Sequence, residues 1–295
     1  MRKTRDILPI MIIDGKGLSE QILDRLRMEV NALNLRGLTP TLSVIQVGDD
    51  PGSVAYIRQK QKAAEQIGAK LILSHQPSAI SYQQLQKIIK NFNNDLTIHG
   101  IILQRPLPAA LVDNTMALCS LIGPAKDVDG FLPNSPYPVP VASAIVKILH
   151  TTFSQLVKLD QLVQFDQWIK KQNIVILGRG DTAGKPIADM LVKIGCTVTV
   201  VHSQTPNPDT ITKSADILIS CVGKTNVVRR DTIKKGAILL SVGITRGSDG
   251  KLHGDYEEDQ IKEFASCYTP TPGGVGPVNV ACLMENLLRA ATTLL

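Results

Sequence analysis

The sequence predicts an α/β protein built in two parts, on three observations. Short apolar runs alternate with amphipathic runs from one end to the other, the pattern of parallel α/β units. A chain of 295 residues is long enough for two domains that each bury a core. The alternation breaks at the proline-rich stretch Pro133-Asn-Ser-Pro136-Tyr-Pro138-Val-Pro140 and then restarts.

In the first part, Leu42–Val47, Lys70–Leu73 and Ile98–Leu103 are the expected strands. Helices are expected over Ser19–Leu35, Ser53–Ile67 and Ser81–Asn93. A helical run follows the prolines, and the polar stretch from His150 to Gln172 reads as a connector with some helix in it. In the second part, Asn173–Leu177, Thr197–Val201, Asp216–Cys221 and Ala237–Val242 read as buried strands. The segment Asn279–Leu295 reads as an amphipathic helix with Val280, Leu283, Leu287 and Leu288 on one side.

Composition narrows the class of partner. The early apolar run Ile7–Ile13 is interrupted by Pro9 and is too short to span a bilayer, and it lacks the features of a signal peptide. Five cysteines without a CxxC pair argue for reduced thiols in the cytoplasm and against a zinc site or a disulfide framework, so no metal is expected. The net charge of +6 is spread over short Lys/Arg pairs, and aromatics are only 4%, so nucleic-acid stacking platforms are not expected. Such a balance suits small anionic ligands.

One turn looks made for a dinucleotide. Strand Asn173–Leu177 runs into Gly178-Arg-Gly180-Asp-Thr-Ala-Gly184, and a helical run to Ile194 follows. Glycines at such a turn let the backbone approach a pyrophosphate seated on the helix N-terminus. The spacing is GxGxxxG, so the signal rests on its context in a βαβ unit. The next strand ends Val201-His202-Ser203, with no acidic residue to grip a ribose 2′-hydroxyl. Arg179 and Ser203 instead suit a 2′-phosphate, which favours NADP over NAD.

A second feature is a lysine in an apolar place. In the helix from Ser53, read as its N-cap, to the stop at Gly68, residues Arg58, Gln59, Gln61, Lys62, Glu65 and Gln66 share one side. The other side carries Ser53, Tyr56, Ala63, Ala64 and Ile67, with Lys60 in its middle. Tyr56 and Lys60 are i,i+4 neighbours. The expected strand ending Leu103-Gln104-Arg105-Pro106 and the acidic turn Lys126-Asp127-Val-Asp129-Gly130-Phe131 are the other polar features of this part. Carboxyl ends of parallel strands are where ligands bind.

Taken together these segments resemble the bifunctional methylenetetrahydrofolate dehydrogenase/methenyltetrahydrofolate cyclohydrolase family. The matching motifs are Asp14-Gly-Lys16, Val47-Gly-Asp-Asp-Pro51, Ser53-x-x-Tyr56-x-x-x-Lys60 and Gly100-Ile-Ile-Leu-Gln104 with Pro106-Leu-Pro108. They continue through Lys126-Asp-Val-Asp129-Gly-Phe131, Gly178-Arg179, His202-Ser203, Val242-Gly-Ile244 and Pro272-Gly-Gly-Val-Gly-Pro277, and so cover nearly the whole chain in order. The resemblance implies two α/β lobes flanking a cleft, the second a Rossmann-type NADP-binding domain with a parallel sheet. It places a folate-binding catalytic domain at residues 1–146 with 279–295, and the NADP-binding domain at 147–278.

By the same resemblance Lys60 is the central catalytic residue, Gln104 adjusts it, Tyr56 stacks on the folate and Asp129 holds the pterin-like ring. Pro272, Gly273, Gly274, Val275 and Gly276 lie along the substrate and Leu103, Gln104 and Arg105 lie in the cleft, with Leu103 and Gln104 among the substrate-binding residues, while Gly178, Arg179, Gly180, Ser203 and Ile244 contact NADP. The implied activity is oxidation of methylenetetrahydrofolate with NADP, then hydrolysis to 10-formyltetrahydrofolate, in a cytoplasmic homodimer of one-carbon metabolism. The chain also departs from the family. Residues Leu132–Ser143 replace a longer loop, Gly180 replaces a serine, Ser241 an aspartate, Arg105 an apolar residue and Asn279 a threonine. These departures keep two alternatives open: a cyclohydrolase with an impaired dehydrogenase step, or a non-catalytic binder of NADP or folate.

Overall fold

The computed structural model of the protein describes residues 11–156 and 164–293. In chain order the first elements are β1 (Met11–Ile12), α1 (Gly15–Asn34), β2 (Thr41–Val47), α2 (Pro51–Ile67), β3 (Lys70–Gln76), α3 (Tyr82–Asn94), β4 (Gly100–Leu103) and α4 (Thr115–Cys119). Then come α5 (Pro140–Leu156), α6 (Phe165–Ile169), β5 (Ile174–Leu177), α7 (Gly184–Lys193), β6 (Val198–Val201), α8 (Pro208–Thr212), β7 (Ile217–Ser220) and β8 (Ile238–Ser241). The chain finishes with β9 (Thr245–Arg246), β10 (Leu252–His253), α9 (Glu258–Ile261), β11 (Cys267–Tyr268) and α10 (Val275–Thr293). Part of the expected connector, residues 157–163, lies outside the described residues, as do the start of the Ile7–Ile13 run and the end of the last helix. Among the described residues no helix is long and apolar enough to cross a membrane.

The chain divides into two compact units. One holds Ser19–Pro140 and the chain from Asn279 onward; the other holds Val141–Val278 and the chain up to Leu18. In the first unit, β3, β2 and β4 form a parallel sheet in that order. Strand β2 is central and buried along its whole length, its polar residues Thr41, Ser43 and Gln46 included. Its core gathers Ile45, Val47, Leu85, Ile89, Ile98, Ile101, Leu103 and Leu118. Helix α10 belongs here from Asn279 on: Asn286 Nδ2 donates to the carbonyls of Val128 and Pro138, both at 2.8 Å.

The second unit carries a six-stranded, all-parallel sheet in the order β1-β11-β8-β7-β5-β6. Here the structure divides the chain differently from the expected boundaries. Residues 11–18 and 141–146 fall in this unit, not in the first; the former are carried there by β1, which pairs parallel with β11 through Met11 and Cys267. Two-residue strands leave no periodicity to read, so β1 and β11 escaped the sequence reading.

Helix α2 also starts earlier than expected. Asp50, not Ser53, is its N-cap, with the Ser53 amide donating to Asp50 Oδ1 at 2.7 Å. Pro51 supplies the φ that the first helical position needs, so the helix begins there and Ser53 becomes its third residue. The expected stop stands: Gly68 adopts φ 80°, and its N–H closes on the Ala64 and Glu65 carbonyls.

Candidate active site

The site of the first unit is built at the carboxyl ends of β2 and β4. Strand β4 ends at Leu103, and the Gln104 N–H continues its ladder by donating to the Ile45 carbonyl at 2.9 Å. The chain then turns through a cis Arg105–Pro106 peptide. Beside it, the buried face of α2 is Ser53, Ile57, Lys60, Ala63, Ala64 and Ile67. Lys60 is 8% exposed, so the one charged residue of that face is sequestered there.

Its partner is Gln104: Lys60 Nζ donates to Gln104 Oε1 at 2.9 Å. The amide is oriented by its other end, since Gln104 Nε2 donates to the Arg105 carbonyl at 2.9 Å. That carbonyl also accepts from Ser53 Oγ at 3.4 Å, which ties the strand exit to the first turn of α2. Burial drives the Lys60 amine below the ordinary lysine value; Asp129 pulls it back up and Arg105 pushes it further down. Tyr56, one turn earlier, is half-buried, and burial raises its phenol, which stays neutral.

The turn Lys126–Phe131 is mostly scaffold. Lys126 Nζ donates to the carbonyls of Phe92 at 3.0 Å and Asp95 at 2.6 Å, closing the end of α3. The Asp127 carboxylate accepts from the Leu132 N–H at 2.9 Å, and burial lifts its pKa to about 6. Val128 is buried against Gly100, where an added Cβ would lie 2.8 Å from the valine. Gly130 adopts φ 70°, and a Cβ there would sit 2.6 Å from the Tyr137 carbonyl, so this position requires glycine. The remaining residues, Asp129 and Phe131, are the ones left for other work. Asp129 acts on Lys60 through its charge, and the Arg105 guanidinium lies 4.1 Å from the centre of the Phe131 ring.

The short segment after Phe131 is pinned to the same turn. Ser135 Oγ donates to the Asp127 carbonyl at 3.0 Å and Tyr137 Oη to the Ala125 carbonyl at 3.0 Å. Thus the departure at Leu132–Ser143 leaves the Lys126–Phe131 turn supported.

In the second unit, the glycine turn follows β5. A Cβ on Gly184 would collide with the Gly178 carbonyl, so glycine is what lets α7 start against the strand. Helix α7 has no side-chain cap, and a Cβ on Gly180 would meet nothing within 4 Å, which leaves the first turn open to an anion. Strand β6 is the neighbour of β5, and its exit turn holds Ser203 and Gln204, both exposed. Arg179 Nη2 donates to Gln204 Oε1 at 3.4 Å, so Arg179 and the turn carrying Ser203 come together; Gln204 was missed in the sequence reading. These residues fit a phosphorylated dinucleotide: an uncapped helix start for one anion and an exposed guanidinium beside a hydroxyl turn for another.

The larger omission is Asp255. It is fully buried, and its carboxylate accepts from Ser220 Oγ at 2.6 Å and from the N–H groups of Val222 at 3.0 Å, Gly223 at 2.8 Å and Lys224 at 3.0 Å. The Asp255 N–H donates to Ser241 Oγ at 2.9 Å. One residue thereby joins the carboxyl ends of β7 and β8, the edge that carries Ile244. The serine at position 241 is therefore engaged, not a gap. Nothing around residue 255 in the sequence signals this, because all its partners lie 14 or more positions away.

The loop Pro272–Gly276 precedes and opens α10. The Thr271 N–H donates to Glu258 Oε1 at 3.1 Å, and Gly273 adopts φ 112°. A Cβ on Gly274 would sit 2.6 Å from the Pro270 carbonyl. Among the described residues no group of three or more His, Cys, Asp or Glu is arranged to hold a metal ion.

Comparison with known proteins bears on both units. Residues 13–129 match the catalytic-domain model of the tetrahydrofolate dehydrogenase/cyclohydrolase family, and residues 151–295 match its NAD(P)-binding domain model. The bifunctional protein FolD of Halalkalibacterium halodurans is 42% identical over 285 residues, covering 95% of this chain and 98% of that protein. That of Polaromonas naphthalenivorans is 39% identical over 280 residues, covering 95% and 98%. Among solved structures, the Trypanosoma brucei methylenetetrahydrofolate dehydrogenase-cyclohydrolase, complexed with NADP and an inhibitor, superposes with a TM-score of 0.86. It is 33% identical and covers 96% of this chain and 98% of that one. The Campylobacter jejuni bifunctional enzyme gives the same TM-score at 33% identity, with 97% and 100% covered.

Proposed function

The chain belongs to the tetrahydrofolate dehydrogenase/cyclohydrolase family, and on that premise we propose how its residues divide the two reactions. The unit holding Ser19–Pro140 and the chain from Asn279 binds the folate. The unit holding Val141–Val278 binds NADP at Gly178, Arg179, Gly180, Ser203 and Ile244. The observation that carries the reading is the buried Lys60 Nζ on Gln104 Oε1.

Bound NADP would supply the hydride acceptor for methylenetetrahydrofolate, a role that the nicotinamide itself fills. This chain's share is positioning: Tyr56 offers a flat half-buried ring, and Asp129 offers acceptor oxygens to the amino and amide groups of the pterin-like ring. Leu103, at the end of β4 in the same unit, would lie along the substrate. In the second step, neutral Lys60 donates one N–H to Gln104 Oε1 and keeps a lone pair on Nζ. That lone pair takes a proton from the water that adds to the methenyl carbon. The ammonium then returns it to the ring nitrogen released as the C–N bond breaks, and the adduct's hydroxyl proton passes to solvent as the C=O of the 10-formyl product forms, so that one proton is released per cation hydrolysed. Burial suits Lys60 to this exchange because it brings the amine closer to neutrality.

The purified protein, given methylenetetrahydrofolate with NADP or NAD, tests the whole scheme when NADPH and methenyl absorbance are followed together. NADPH forms without lasting methenyl accumulation if both steps run; consumption of supplied methenyl without NADPH formation would leave only the cyclohydrolase. For cofactor choice, Arg179→Ala should weaken NADP binding by about tenfold or more, from a lost charge-assisted contact, and leave NAD binding little changed. Equal losses for the two nucleotides in titration would contradict a 2′-phosphate role. By family analogy we place the protein in the cytoplasm as a homodimer.

A further inference from the structure

We propose that Arg105 is a positioning residue for the lysine chemistry: tied by its carbonyl to the Gln104 amide and laid on the Phe131 ring, its guanidinium is a fixed positive charge that works with burial against an ammonium at Lys60. The inference rests on the role given to Lys60 above. Three contacts hold Arg105 where it acts. Its carbonyl takes the Gln104 amide at 2.9 Å and the Ser53 hydroxyl at 3.4 Å, so its backbone is tied to both the lysine's partner and the lysine's helix. Its side chain then crosses to the face of Phe131, 4.1 Å from the ring centre and two residues after Asp129. Lys60, Gln104, Arg105, Phe131 and Asp129 thus form a continuous chain of contacts and neighbours in one unit.

The charges acting on Lys60 are opposed. Asp129 favours the ammonium and Arg105 disfavours it, on top of the burial that disfavours any charge. Three further groups titrate around this cluster: Tyr56 on α2, whose phenol burial raises, Cys119 on α4, whose thiol burial raises and which also feels Arg105, Asp129 and Asp127, and Asp127 itself, which burial lifts to about 6 and which faces Asp129. A guanidinium does not lose its proton over the working pH range, so its effect is constant where that of a histidine would not be. The substrate needs Asp129 as an acceptor, yet its charge favours the ammonium at Lys60 against the larger effect of burial. Arg105 opposes part of that pull.

The test is the pH profile of methenyltetrahydrofolate hydrolysis for the parent, Arg105→Leu and Arg105→Lys, with melting followed for each. Arg105→Leu should move the acid limb of kcat to higher pH, so that turnover falls several-fold on the acid side of the parent's limb and converges with the parent on the alkaline plateau. Arg105→Lys, which keeps the charge, should hold the limb close to the parent's. If Arg105→Leu fails to fold, Arg105→Gln, which keeps a polar stem without charge, carries the same expectation. An acid limb at the parent's pH in the uncharged variant overturns the inference, even if kcat or KM drops. Lys60→Met separates the two claims. Hydrolysis surviving in that variant sinks the role of Lys60 and this inference with it; hydrolysis lost there, with the Arg105→Leu limb unmoved, sinks only the role of Arg105.

Discussion

Replacing Lys60 with methionine abolishes hydrolysis of supplied methenyltetrahydrofolate while the protein stays folded. Loss of a general base costs about 10²–10⁴-fold, which places the variant near the floor of an absorbance assay. Stability is expected to hold because methionine matches the aliphatic length of lysine and fills the same inward position beside Ile57, Ala63 and Ala64. The buried amine is also a costly group, so its removal relieves burial at the same time as it unpairs Gln104 Oε1. Gln104 is half-buried, and solvent can satisfy the freed oxygen. The measurements are methenyl decay and thermal melting on the same preparation. Parent-like turnover would refute the assignment, and a collapsed melting transition would show that Lys60 is structural.

The lowered amine also fixes the direction of pH dependence. A lysine held below its ordinary value is neutral over a wider range, so hydrolysis rises with pH as Lys60 gives up its proton and then levels.

Asp255→Ala carries the largest expected loss of stability. It removes the acceptor for three backbone N–H groups and the Ser220 hydroxyl at a fully buried position. Leaving buried donors unsatisfied costs about 1–3 kcal/mol each, with water rescuing those nearest the surface, so a total of about 3 kcal/mol or more is expected. At about 2–4 °C per kcal/mol, the melting temperature falls by roughly 6–12 °C. The loops after β7 and β8 lose their common anchor, so NADP affinity falls as well. Asp255→Asn keeps one acceptor oxygen and sets an NH₂ against backbone N–H groups, so it falls between the parent and the alanine variant. Parent-like melting and unchanged nucleotide affinity in Asp255→Ala would mean that the carboxylate is not the clamp its four donors suggest.

The candidate site was legible wherever its signal was local. Lys60 stands out because a 3.6-residue period exposes one charged residue on an apolar face, and the buried set on α2 matches that face. Gln104 and Asp129 drew attention only as polar ends of recognisable motifs; their meeting with Lys60 spans 44 positions in one case and the turn after Gly123 in the other. Arg105 read as a departure from the family and gave no hint of the ring beneath it. Asp255 gave no signal of any kind.

The α/β class, the inward face of α2, the glycine stop at Gly68 and the strand-to-helix turn at Gly178–Gly184 follow from the order of residues alone. Each depends on backbone and side-chain preferences that act within a few residues. Long-range packing is what brings β1 into the second sheet, sets Asp255 across the ends of two strands, and gathers Asp129 and Arg105, of opposite charge, around one amine. Those outcomes depend on which distant segments pack together. Pairing across tens of residues is set by burial and hydrogen-bond satisfaction over the whole domain, and no local period encodes it.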